Sequence, residues 1–209
     1  MTQKKEEAHI DPILIDIPLP IITPRLLLRP PQQGDGKALF EAKKDSATEL
    51  KSWMLWAKGD SSEQDEEILV RNKYIDFLKR EDLMLFAFDR TRPDYLIAGT
   101  GLHRFNWKTR VFEIGYWVRT PDTGKGYATE LTNALTRYAL EALGATKITI
   151  GHADKNDKSR NVIQKLGFKQ EGIREKEHLL PTDDLVDEYI YNRFDTKGLP
   201  DLNVSWGTE

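Results

Sequence analysis

The chain of 209 residues contains no cysteine. That excludes a disulfide framework, a cysteine nucleophile and a thiolate metal site. Histidine is scarce, with four in all, and none stands in an H-E-x-x-H or comparable spacing, so no metal is expected. An excess of positive charge is also missing. Lys and Arg total 31 against 34 Asp and Glu, a net charge of −3, so no nucleic-acid partner is expected. No apolar run approaches the roughly 20 residues that a membrane span requires. The apolar stretch near the N-terminus is interrupted by Asp11, Pro12, Asp16, Pro18 and Pro20, unlike a signal peptide. The expectation is a soluble, cytoplasmic protein with no membrane partner. There is no G-x-S-x-G elbow for a serine hydrolase. The acidic stretch Ala153–Asp157 lacks the glycine and closing glutamate of an EF-hand loop.

What is present suits one core domain with two appendages. Residues 1–21 read as an N-terminal arm, 22–194 as the domain and 195–209 as a polar tail. Ile22–Arg29 reads as a strand ended by Pro30 and Pro31. Residues 32–57 read as helical, with Leu39, Phe40, Ala47 and Leu50 toward the core. Glu63–Lys79 reads as a second helix, with a partial apolar stripe at Ile68, Tyr74, Ile75 and Leu78. Leu83–Phe88, Tyr95–Phe105 and Val111–Val118 predict an antiparallel meander. A long amphipathic helix follows, with Tyr127, Leu131, Ala134, Leu135, Tyr138, Ala139 and Leu143 on one face. Thr146–Ile150 predicts a strand. Asn156–Leu166 predicts a helix with Asn156 as N-cap and Gly167 as its stop. A hairpin from Phe168 to Phe194 completes the domain. One strand–helix–strand crossover, from Val111 to Ile150, is thus set in an otherwise antiparallel sheet.

The crossover carries the chemical signal. Between strand and helix stands Thr123-Gly124-Lys125-Gly126-Tyr127-Ala128-Thr129. Glycines there let the main chain approach a ligand. The helix start presents unpaired N–H groups and the positive end of a dipole. Together they suit a pyrophosphate. The stretch is neither a Walker loop nor a dinucleotide fingerprint, because Thr129 stands where the latter needs its third glycine. On this stretch alone, a plain tight strand-to-helix turn is the first reading of the two glycines.

Four stretches in order resemble the GNAT N-acetyltransferases. Thr123–Ala128 is similar to their Q/R-x-x-G-x-G/A loop, with Thr123 in place of Gln or Arg. Thr23–Pro30 (TPRLLLRP), Leu50–Ala57 (LKSWMLWA) and Asn156–Gly172 (NDKSRNVIQKLGFKQEG) resemble the branch that acetylates the N-termini of ribosomal proteins. The resemblance implies an α+β, α/β/α layered fold. Its mixed, mostly antiparallel sheet would have about six to seven strands and about four flanking helices, splayed between the fourth and fifth strands. It implies acetyl-CoA as cosubstrate. Tyr116, Trp117 and Val118 would pair with the pantetheine arm, Thr123 to Thr129 would take the pyrophosphate, and Asn156 would bond the pantetheine amides.

The same resemblance makes Ser159 the donor of a proton to the departing thiolate. A second helix-capping hydroxyl is the alternative for a residue in that place. Glu113 is the candidate base, set against a cross-strand ion pair with Arg104 or Arg110. His178 is an alternative base or acceptor-site residue. Trp53 and Trp56 are expected at the acceptor site, Trp56 above all, against simple core packing. His103 and His152 read as structural. The expected reaction is acetyl transfer to a primary amine, foremost a protein N-terminal α-amine such as that of a ribosomal protein. The alternatives are a small amine (antibiotic, polyamine or amino acid), a non-catalytic acyl-CoA-binding protein and a nucleotide-binding module. A homodimer is compatible with the resemblance.

Overall fold

A computed structural model describes residues 11–207. The strands are β1 (Ile21–Ile22), β2 (Leu26–Arg29), β3 (Leu83–Asp89), β4 (Arg92–Asn106), β5 (Val111–Val118), β6 (Lys147–Ala153), β7 (Lys169–Leu179), β8 (Leu185–Arg193) and β9 (Ser205–Trp206). The helices are α1 (Gly36–Asp45), α2 (Ala47–Trp53), α3 (Glu63–Leu78), α4 (Tyr127–Glu141) and α5 (Asp157–Lys165). The sheet runs β7-β8-β6-β5-β4-β3-β2-β1-β9. Among its pairings only β5 with β6 is parallel, the consequence of the α4 crossover.

Two apolar layers enclose the sheet. Phe112 and Ile114 of β5 pack with Leu131, Ala134, Leu135 and Tyr138 of α4 and Ile163 of α5. Trp117, on the opposite face of the same strand, joins Phe86, Phe88, Leu39, Ala42 and Leu50. One face is therefore covered by α4 and α5, and the other by the α1–α3 segment.

Strong local signals are matched by the structure. Asn156 caps α5 by accepting from the Ser159 amide at 3.2 Å, and Gly167 follows it at φ 68°. Four expectations need correction. Among the described residues the sheet has nine strands and there are five α-helices. One addition arises because the expected strand Ile22–Arg29 is a hairpin, with Pro24 in its turn and the Thr23 hydroxyl accepting from the Leu26 amide at 2.9 Å. The expected helix over 32–57 is two helices and a 3-10 turn at Leu55–Ala57, broken at Ser46, whose hydroxyl donates back to the Ala42 carbonyl. The stripe on α3 does not face the core: Ile68, Tyr74, Ile75 and Leu78 are exposed, and Glu66, Val70 and Phe77 are buried instead. The stretch after Arg193, expected as a polar tail, returns to the sheet. Leu199 is buried, Trp206 stands edge-on to Tyr138, and β9 pairs with β1.

Candidate active site

The parallel pairing of β5 with β6 ends at Ile114 and Ile150, although β5 continues to Val118 and β6 to Ala153. Beyond those residues the strands part. Tyr116, Trp117 and Val118 therefore present one main-chain edge without a strand partner, while their other edge remains paired to β4. An extended ligand can add to such an edge as a strand does.

At the end of that edge lies the glycine loop. Gly124 and Gly126 adopt φ 76° and 84°, the left-handed region where a β-carbon is disfavoured. Gly126 is the N-cap of α4 and offers no side-chain cap. Among the described residues, the amides from Gly124 to Thr129 make no hydrogen bond within the protein. Consecutive free donors at the positive end of a helix form a receptor for an anion. The loop is exposed, so a bound diphosphate needs no opening motion.

Side chains of the loop behave differently from their main chain. Thr123 turns its hydroxyl back onto the Thr120 carbonyl at 2.8 Å. Lys125 bonds Asp122 at 2.8 Å, which holds the ammonium pKa above its usual value. Asp122 is itself buried and accepts from Tyr95 at 2.9 Å. The charge of Lys125 is thus matched inside the protein. Arg25, which had no local signal in the sequence, braces the loop from outside. It donates to the Lys125 carbonyl at 2.9 Å, ion-pairs with Glu130 at 2.5 Å and lies 4.2 Å from the centre of the Tyr127 ring. Glu130 also accepts from Thr23 at 2.6 Å. The TPRLLLRP stretch and the glycine loop are parts of one device.

Ser159 stands half-buried in the first turn of α5, with its hydroxyl 3.3 Å from the Tyr116 hydroxyl. Its own cap position is served by Asn156, so its hydroxyl is not a capping group. Asn156 uses its carbonyl oxygen for that cap, and among the described residues its amide NH2 has no partner. Burial pushes the Tyr116 phenol above its usual pKa, with Ser159 acting in the opposite sense, so Tyr116 remains protonated at neutral pH.

The opposite face of β5 carries aromatic side chains. Trp117 lies on this face, with the exposed Trp56 ring 6.2 Å away. Trp53, at the end of α2, is half-buried and makes no ring contact of this kind among the described residues. The α1–α2 corner is pinned to the start of the β5–α4 connection. Arg119 bonds Asp45 at 2.6 Å, and the Thr120 amide bonds Ser46 at 3.0 Å. The turn of the β7–β8 hairpin is joined to the Trp56 segment by Lys58 and Asp183 at 2.7 Å. His178 lies on that hairpin, opposite Val186 and outward of the end of β6. Glu113 is on the Trp117 face, and both its carboxylate oxygens are bonded by Arg104. The cross-strand ion pair with Arg104 is thus present. His152 is buried and stacked on Tyr189.

Among the described residues, no cluster of His, Asp and Glu is suited to a metal ion. No described helix is long and apolar enough to cross a membrane.

Comparison with known proteins agrees with this geometry. Residues 25–169 match the family model described as an acetyltransferase (GNAT) domain. The chain is 31% identical over 155 residues to the Bacillus subtilis (strain 168) protein named "Putative ribosomal N-acetyltransferase YdaF", covering 72% of this chain and 79% of that one. Among solved structures, RimL, a ribosomal L7/L12 α-N-protein acetyltransferase in complex with coenzyme A, superposes with a TM-score of 0.76 at 18% identity, covering 84% of this chain and 97% of that one. The microcin C7 self-immunity acetyltransferase MccE, in complex with acetyl-CoA and AMP, gives 0.75 at 21% identity, covering 82% and 93%. A splayed β5–β6 edge, a glycine loop of free amides and the family match together make this chain a member of the GNAT family, an acetyl-CoA-dependent N-acetyltransferase.

Proposed function

We propose that the acceptor is the α-amine of a protein N-terminus, with ribosomal proteins as the first class to test. The observation that carries this reading is exposed apolar surface beside Trp117. Leu55 and Trp56 are exposed there, and Lys58 ties this segment to Asp183 in the turn of the β7–β8 hairpin, whose Leu179 and Leu185 are also exposed. Such a surface suits a polypeptide end better than a small polar amine. The names of the curated relative and of the RimL neighbour support the same class.

In this reading, a neutral amine enters on the Trp117 face and attacks the thioester carbonyl. A carbon–nitrogen bond forms, and the carbon–sulfur bond breaks with its electron pair leaving on sulfur. Amides of the open β5 edge, Tyr116 to Val118, hold the carbonyl oxygen as charge develops. Amides of 124 to 129 hold the diphosphate, with Asn156 on the pantetheine arm. Ser159 supplies a proton to the sulfur, and Tyr116 orients its hydroxyl. Trp56 lines the acceptor path, and His178 lies at its outer end. An α-amine has a pKa of about 7.7–8.0, so about a tenth is neutral at pH 7 without help.

The test is turnover on a panel. Purified chain is given acetyl-CoA with peptides bearing free N-termini of ribosomal proteins and, separately, with polyamines, amino acids and aminoglycosides. Release of thiol and mass gain on the peptide α-amine are expected. Turnover confined to the small amines overturns the acceptor assignment.

A further inference from the structure

The Trp117 face carries a further histidine beside the splay. His103 and Glu113 are register partners, as are Gly101 with Gly115 and Gly99 with Trp117. All lie on the Trp117 face by the alternation of strands. Gly115 is the first residue of β5 beyond the last β5–β6 pair. The imidazole of His103 lies flat across Gly101 and Gly115. A β-carbon at Gly115 would stand 2.9 Å from His103 Cδ2 and 3.3 Å from Nε2, and one at Gly101 would stand 2.9 Å from Nε2. The two glycines thus leave room for this ring at the mouth of the splay.

The ring is oriented from behind. His103 Nδ1 bonds the Asp82 carboxylate at 2.5 Å. Burial works against the charge of Asp82, yet the His103 hydrogen bond and the charges of His103 and Lys73 hold its pKa below the usual carboxylate range. Asp82 is therefore ionised at neutral pH and accepts the bond, so in the neutral form of the ring Nδ1 carries the hydrogen and Nε2 the lone pair. Among the described residues, Nε2 has no hydrogen-bond partner. Lys73 steadies Asp82 at 3.3 Å and is itself held by Asp76 at 3.0 Å. Just past His103 the chain makes a β-bulge, with Arg104 at φ 41°, outside the region a strand residue prefers. Bulges of this kind re-aim side chains beside sites of chemistry. The bulge also places Arg104 on both oxygens of Glu113, so that carboxylate is occupied while Nε2 of His103 is free.

We propose that His103 is the catalytic base, oriented by Asp82. Its Nε2 takes the proton of the acceptor ammonium, leaving a neutral amine beside the thioester and an imidazolium stabilised by Asp82. The imidazolium then returns its proton to solvent. The amine attacks, the nitrogen–carbon bond forms and the carbon–sulfur bond breaks. The nitrogen passes its second proton to the again neutral Nε2 and so to solvent. The sulfur gains a proton from Ser159, whose hydroxyl is reprotonated from solvent, so the net release is one proton. This assignment rests on the placement of the thioester along residues 115–118, but it does not depend on which amine is the acceptor. The charged groups around the ring are Asp82, Lys73 and Asp76 on one side and Glu113 with Arg104 on the other.

The test uses His103→Gln and Asp82→Asn in the full chain, each checked by calorimetry for unchanged acetyl-CoA affinity and by melting for an intact fold. With the amine that turns over fastest in the panel, kcat/KM is measured from pH 6 to 9.5. For His103→Gln the expected loss is about 100-fold at pH 6.5, the scale of one acid–base group. With an α-amine the gap narrows above pH 8, where the amine deprotonates unaided. Asp82→Asn is expected to show a smaller loss with the same narrowing. Nitrogen-15 spectra of the wild-type imidazole, which need no acceptor, are expected to show the Nδ1–H tautomer. A pH-independent loss, retention of wild-type turnover at every pH, or an Nε2–H tautomer overturns the assignment. Peptides failing while a small amine shows the His103 effect refutes the proposed acceptor and leaves the base in place. A chain that turns over no amine refutes both.

Discussion

Arg25 and Lys125 stand a hundred positions apart, yet the Arg25 guanidinium donates to the Lys125 carbonyl at 2.9 Å. That bond fixes the middle of the glycine loop from a turn of the N-terminal hairpin. The rest of the guanidinium is held by Glu130, which sits in the first turn of α4. The loop therefore owes its shape to a contact that no local sequence pattern reveals. Arg25→Ala is expected to weaken acetyl-CoA binding about 5- to 30-fold, the scale of a partly exposed charge-assisted bond of ~1–2 kcal/mol. Calorimetric titration measures it. Lys125→Ala is expected to change affinity less than Arg25→Ala, because the Lys125 charge is already matched by Asp122. The opposite order would show that the ammonium, and not the loop's main chain, holds the diphosphate.

The glycines of the loop make a sharper demand. At φ 84°, Gly126 is in a conformation that costs an alanine roughly 1–2 kcal/mol. Its β-carbon would meet nothing closer than Arg25 Nη2 at 3.5 Å, so the penalty is conformational and not a clash. Gly126→Ala is expected to lower the melting temperature by about 2–4 °C per kcal/mol for a chain of this size. If the alanine chain relaxes by leaving this conformation, the amides turn away and acetyl-CoA no longer protects against heating. Unaltered protection together with an unaltered melting temperature would remove the geometric argument for the loop.

Much of this site was legible because its signals are local. Asn156 and Gly167 bracket α5 with capping chemistry, and Gly124 and Gly126 mark a strand-to-helix turn. What was missed was set by distant partners. Ile68, Tyr74, Ile75 and Leu78 gave α3 an apolar stripe, but α3 buries Val70 and Phe77 instead, and that contact is decided by where α1 lies. The hairpin at Pro24 was read as one strand because Ile22, Leu26, Leu27 and Leu28 are all apolar. His103 read as structural since neither Asp82 nor the bulge at Arg104 is visible in the order of residues. For Glu113 the sequence offers Arg104 and Arg110 as partners, and the bulge brings Arg104 onto it.

The pair Tyr116–Ser159 predicts a separation of binding from chemistry. Their hydroxyls are 3.3 Å apart, and neither is needed for the main-chain contacts that hold the cosubstrate. Ser159→Ala is expected to reduce kcat by about 10-fold or more while leaving acetyl-CoA affinity within about twofold, the pattern of an interaction made as the thiolate departs. Tyr116→Phe is expected to cost less, since it removes only the orienting bond. Burial keeps the Tyr116 phenol protonated above its ordinary range, so no loss of activity near pH 9 should trace to Tyr116. An alkaline fall in wild-type rate that disappears in Tyr116→Phe would contradict this.

Asp82 gives the stability of the fold a pH dependence whose sign follows from its surroundings. Its folded pKa lies below the unfolded value of about 3.9, with burial opposing and His103 and Lys73 favouring the charged form. A carboxylate depressed in this way stabilises the folded state fully above the unfolded pKa. The stabilisation is lost as pH falls through the lower, folded value. Melting temperatures of the wild type and Asp82→Asn are therefore expected to differ most near neutrality and to converge as pH drops below about 4. The asparagine keeps the shape and removes the titration, so a difference that stays constant down to pH 2.5 would mean that Asp82 acts by packing and not by its charge.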